Sequence, residues 1–193
     1  MNIQKSYPYI LIVGSIVGLL ASFTLVLNTI ELIKNPNIEL PCNINPFVSC
    51  SSVANTWQNE IFNFPNALLG MIAFSMLLAI GAMLLSGYRA RKEFWLLVNL
   101  GTLAAMTFVI WFFYQSVYNI GSLCIYCMFV WVVTWPIFLY TTVWNIQEGH
   151  FNVEHRMLNI LNFVSRHHIQ ILATVYLIAI FLILFQFKDF FFS

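Results

Sequence analysis

Five long apolar runs leave this chain few ways to fold. Each is long enough to cross the ~30 Å hydrocarbon layer as a helix, which takes about 20 residues. They fall at Tyr7–Leu32, Pro65–Leu85, Phe94–Tyr118, Ser122–Trp144 and Ile169–Phe187. Of the 193 residues, 61% are hydrophobic and only 8% charged, against about 45–50% and about 25% in soluble domains. One water-soluble core cannot hide that excess. The expectation is an all-α integral membrane protein, with a single transmembrane domain over residues 1–193. The first run is too long for the apolar core of a signal peptide and no small-x-small cleavage site precedes the polar connector, so we read it as a retained helix.

Charge predicts the orientation. Lys5, Arg89, Arg91, Lys92, Arg156 and Arg166 all fall on one side of a five-helix threading, and only Lys34 and Lys188 on the other. Positive-inside logic puts the six in the cytoplasm. The connector after the first helix and the start of the fourth helix then face outward, on the oxidising side where disulfides persist. The expected location is the cytoplasmic (inner) membrane. A net charge of +1 and the lack of any polybasic stretch give no footing for nucleic acid.

The outer connector, Ile33–Phe64, is the longest segment between spans. Pro36, Pro41 and Pro46 break its early part. In Ser49–Ile61, Val53, Ala54, Trp57 and Ile61 recur at helical spacing, with Ser51, Ser52, Asn55 and Asn59 between them. This predicts a short amphipathic helix on the membrane surface, capped by Ser49 and able to act as a lid. Pro65 suits the first turn of the next helix. The inner loop Asn145–His168 carries His150, His155, His167 and His168. The adjacent pair His167–His168 points to different helix faces, and no cysteine or paired carboxylate shares that side. We read it as a solvated interfacial loop and expect no metal.

The chemistry lies in four cysteines. Cys124 and Cys127 form a C-x-x-C at the head of the fourth span, and Cys42 and Cys50 lie eight residues apart in the outer connector. The Gly121–Ser122 turn signal puts Cys124 in the first turn of its helix, where the helix dipole and unpaired N–H groups lower a thiol's pKa. The i, i+3 spacing puts both sulfurs on one face, within reach of a disulfide. Haem attachment would need histidine where Met128 stands, and a zinc site would suit neither the wide outer spacing nor the greasy interface. Two structural disulfides remain the bland alternative. Yet so short a C-x-x-C ring stores little loop-closure entropy, which favours a redox couple. Asn66, polar and just inside a membrane helix, is costly without a partner.

Several motifs in order resemble the vitamin K epoxide reductase family. Cys42 and Cys50 have its C-x7-C-S-x-V spacing, followed by Thr56 and Trp57. Phe64, Pro65, Asn66 and Gly70 resemble the start of its second helix, with the Asn-x3-Gly element. Tyr114–Gln115, Ile120 to Cys127 and Trp131 resemble the bacterial branch. The likeness runs from about Glu31 to Trp144. It implies a four-helix bundle around a quinone with a peripheral fifth helix. A separate extracytoplasmic thioredoxin-like partner, expected because no such domain follows the fifth helix, would deliver electrons to Cys42. Cys50 would pass them to Cys124, and Cys127 would meet the quinone: ubiquinone, menaquinone or vitamin K. Asn66 would bond a quinone carbonyl, Trp131 would lie against the ring, and Phe62, Phe113 and Tyr114 are further candidates for the same cavity.

The leading expectation is thus a membrane thiol:quinone oxidoreductase that regenerates an oxidant for disulfide formation in exported proteins. Reduction of vitamin K epoxide or of a quinone for its own sake would use the same residues. A non-catalytic membrane protein with structural disulfides is the rival from another class.

Overall fold

The computed structural model describes residues 3–45, 47–88, 90–151 and 155–188, with backbone alone for Ile3, Gln4 and residues 155–161. Pro46 and Arg89, and the side chains of His155 and Arg156, lie outside the described residues. Among the described residues, six α-helices follow in order: α1 (Ile3–Lys34), α2 (Cys50–Ala54), α3 (Ala67–Leu85), α4 (Lys92–Tyr114), α5 (Ile125–Gln147) and α6 (His155–Gln186). A 3-10 turn, Trp57–Asn59, follows α2, and a π-helical turn, Gln115–Ile120, extends α4. Among the described residues, five helices are long and apolar enough to cross a membrane.

Helix α1 packs on α3 and α5, and α5 packs in turn on α4 and α6. Small residues set the α1–α3 approach, as membrane helices without a hydrophobic drive between them require. A Cβ on Gly18 would meet the Phe74 ring at 2.5 Å, and one on Gly70 would meet Ser22 Oγ at 2.5 Å. Helices α3 and α4 hardly touch, which leaves room between them.

Helix α6 is peripheral, with Leu177 and Phe181 turned outward. Its anchor follows from Pro136 inside α5. Proline has no N–H, so the carbonyl four residues back, at Val132, loses its helical partner. The Tyr176 hydroxyl of α6 donates to that carbonyl at 2.6 Å, and the Tyr176 ring lies against Trp135 with centroids 5.1 Å apart.

Five local expectations need correction. The inner loop is shorter than Asn145–His168, because α6 begins at His155 and carries His167 and His168, the latter buried. The fourth span starts at Ile125 rather than Ser122, because Leu123 is held extended: its N–H donates to the Phe47 carbonyl at 2.7 Å and its carbonyl accepts from Ser49 N–H at 3.0 Å. Cys124 is therefore the residue that caps α5, not a member of its first turn. The third span runs on past Tyr118 to Ile120, ending at Gly121 in the left-handed region (φ +67°) that favours glycine. The amphipathic helix over Ser49–Ile61 is broken: Thr56 is extended, its hydroxyl donating to the Val53 carbonyl at 2.7 Å. Trp57, expected on the apolar face with Val53, is 69% exposed. Ser49 caps α2 as expected, its Oγ accepting from Ser52 N–H at 3.2 Å.

Candidate functional site

The connector is folded by its own short polar side chains. Asn45 Oδ1 accepts from the N–H groups of Phe47 and Val48, closing a tight turn. Asn43 Oδ1 accepts from Ser51 N–H and from the Ser49 hydroxyl. Val48 and Leu123 form a parallel bridge, which ties the lid to the segment leading into α5.

That tie brings the cysteine pairs together. Cys42 and Cys50 are joined in a disulfide, with Cα atoms 5.7 Å apart. Cys124 and Cys127 are free thiols. Cys124 Sγ lies 3.4 Å from Cys50 Sγ, across 74 residues of sequence. All four are buried. Cys42 is thus packed even though prolines break the stretch around it. Leu32, Leu40 and Val53 belong to the same buried cluster, and Asn28 Nδ2 of α1 donates to Cys42 Sγ at 3.7 Å.

Cys124 lies just ahead of the spanning segment Ile125–Gln147. The Cys127 thiol, donating to it, holds its pKa below the ordinary thiol value against the opposing effect of burial, with help from the backbone N–H groups of Cys127 and Tyr126.

Cys127 instead borders a cavity of about 530 Å³ between α3 and α4, floored by α1 and α5 and roofed by the lid. Its wall is almost wholly apolar. Asn66 is the polar residue that stands out on it. Its Nδ2 donates to the Gln58 carbonyl at 2.7 Å, which fastens the lid to the start of α3, while its Oδ1 is buried without a hydrogen-bond partner. Trp131 and Phe62 also line the cavity. Phe113 stands behind Trp131, ring edge to face at 5.1 Å, and does not reach the wall. Tyr114 is half-exposed against Tyr118 and lies off the cavity. Thr56 serves the lid backbone.

Sequence reasoning passed over Asn28, Gln58 and Ser22. A signal existed for Asn28 and Ser22, since a polar residue inside an apolar span calls for a partner. Gln58 lies in the connector, where polarity signals nothing.

A scan against family models matches the vitamin K epoxide reductase family over residues 9–142, well over half of the chain. The chain belongs to the vitamin K epoxide reductase family. A search of curated proteins returned no match. Membership makes the protein an oxidoreductase of the broad membrane quinone and disulfide type, and its five apolar helices make it a multi-pass membrane protein. The family generally uses quinones, and the cavity suits one. Its volume is in the range of small-molecule sites, about 300–1,000 Å³, and its lining matches a lipid-soluble ring. The spare N–H and unpaired Oδ1 of Asn66 would serve a ring oxygen as donor or acceptor.

Proposed function

We propose that this family member is a thiol:quinone oxidoreductase that reoxidises a separate extracytoplasmic thioredoxin-like protein and so supports disulfide formation in exported proteins. The observation that carries this reading is the 3.4 Å approach of Cys124 Sγ to Cys50 Sγ. It sets the disulfide of the lid and a dithiol whose Cys127 borders the cavity within exchange distance of each other.

Each step is thiolate attack on a disulfide sulfur. A partner thiolate attacks Cys42, Cys50 leaves, and the partner's second thiol resolves the mixed bond. Because Cys42 is buried, the connector must lift for this step. Cys50 then attacks Cys124 of an oxidised C-x-x-C, and Cys127 leaves at the cavity wall. Cys42 attacks Cys50 and releases Cys124. The result, Cys42–Cys50 joined with two thiols below, is the arrangement described above. A quinone in the cavity supplies a two-electron, two-proton acceptor next to Cys127. Asn66 and Trp131 would hold its ring, and the gap between α3 and α4, where Ile72 and Met76 border both the cavity and the outer surface, would pass a prenyl tail into lipid.

Two measurements test this reading. In a Cys42→Ala variant, mass spectrometry of non-reduced peptides should find Cys50 joined to Cys124. Cys50 left free, or joined to Cys127, breaks the relay order. For orientation, Ile44→Cys and Tyr88→Cys place thiols at exposed sites on opposite ends. An impermeant reagent should label the first in intact cells and the second only after lysis; the reverse overturns the sidedness.

A further inference from the structure

Asn28 lies within the last two turns of α1 and is only 8% exposed. A buried amide in a membrane helix is costly unless bonded. Its observed bond goes to sulfur, Nδ2 to Cys42 Sγ at 3.7 Å. A disulfide sulfur carries no proton and can only accept, so the amino end of the amide is the end that bonds it. Against a disulfide sulfur this contact is weak. Against a thiolate the same N–H makes a charge-assisted bond, roughly twice as strong as a neutral one.

We propose that Asn28 stabilises Cys42 as a thiolate during the exchange that re-forms the Cys42–Cys50 disulfide. The proposal rests on the relay above. In that step the Cys42 thiolate attacks Cys50, the Cys42–Cys50 bond forms, the Cys50–Cys124 bond breaks, and Cys124 leaves as thiolate. No outside oxidant is needed. The two sulfurs that alternate as thiolates then each have a donor. Cys124 has the start of α5 and the Cys127 thiol. Cys42 itself sits in a turn, and the amide of Asn28 is the side-chain donor at its sulfur.

The exchange can be read in full-length protein carrying Cys127→Ser, where Cys42, Cys50 and Cys124 share one disulfide. At about pH 9, above the ordinary thiol pKa of ~8.5, acid quenching and non-reducing peptide mapping give the ratio of Cys50–Cys124 to Cys42–Cys50. Neither quinone nor partner is required. Asn28→Leu, similar in size but without a donor, should lower the ratio about tenfold. Asn28→Asp keeps the outline but turns a carboxylate to the sulfur, and should lower it at least as far. Asn28→Gln keeps the donor on a longer arm and should stay nearer the parent. An Asn28→Asp ratio within twofold of the parent overturns the proposal, whether or not the leucine variant folds. A parent that exchanges normally while its Asn28 variants match it removes only the role of Asn28. A parent with no Cys50–Cys124 form removes the relay as well.

Discussion

At the end of the bundle away from the cysteines, polar groups spend their bonds on one another. The Tyr7 hydroxyl donates to Thr141 Oγ1 at 2.9 Å. Asn145 Nδ2 donates to the Trp95 and Thr141 carbonyls, and Asn145 Oδ1 meets His150 Nδ1 at 2.9 Å. Tyr7 stacks on Trp144 at 5.0 Å and lies 6.2 Å from Trp95. Tyr7, Thr141 and Asn145 have no exposed surface. At the cysteine end, Asn66 keeps an unpaired Oδ1 on the wall of a cavity, and Cys127 is a free thiol beside it. Both ends carry a buried asparagine, Asn145 within α5 and Asn66 at the N-cap of α3. One is satisfied within the chain and closes a packed interior, while the other lines a cavity and keeps an unpaired Oδ1. The second arrangement is what a binding site needs, and the first is what a stable end needs. Unpaired atoms alone do not mark a site: Ser15 Oγ and Trp144 Nε1 also lack partners, but they are not on the cavity wall.

This contrast can be broken most sharply at Cys127. Cys127→Ala should cut quinone reduction by dithiothreitol roughly a hundredfold or more, since no other thiol among the described residues borders the cavity. Cys42→Ala should lose only the reaction driven by a protein partner. Equal losses in both assays for both variants would erase the division of labour. At the sealed end, Asn145→Ala removes the amide that ties α5 to the Trp95 carbonyl and the Oδ1 that meets His150, and should cost about 1–3 kcal/mol of stability. It would be read as a lower thermal midpoint with unchanged turnover per folded molecule; lost turnover at an unchanged midpoint would make that end functional. Asn66→Leu should do the opposite, raising the KM for quinone about tenfold with a smaller change in midpoint, and an unchanged KM would remove Asn66 from the site.

The smallest effect concerns pH. The Cys127 thiol donates to Cys124 and depresses its pKa, so the Cys124 thiolate persists to lower pH than an ordinary thiol's. Removing that donor raises the pKa. In Cys127→Ala the alkylation of Cys124 by iodoacetamide should therefore set in at higher pH than in the parent. A shift the other way, or none, would mean that the helix terminus alone activates Cys124.

Local pattern made much of this legible. The five spans follow from runs of apolar residues, because a membrane helix satisfies its backbone internally and needs only length and hydrophobicity. The Ser49 cap and the placement of both cysteine pairs at one end follow from short-range signals and from counting spans. Family motifs added Asn66 and Trp131, and both line the cavity.

What the sequence withheld depends on contacts between distant segments. The bridge between Val48 and Leu123 stretches residues 122–124 and moves Cys124 to the cap. The packing of Leu32, Leu40 and Asn28 buries Cys42 in a stretch whose prolines suggest openness. Tyr114 and Phe113 share the aromatic character of true wall residues, and only the rotation of α4 against α5 leaves one outside and the other behind Trp131. Composition and spacing fix which residues are apolar, reactive or cap-forming, since those are properties of short stretches. Which of them meet is decided by helix rotation and by hydrogen bonds that span more than seventy residues, and those exist only once the chain is folded.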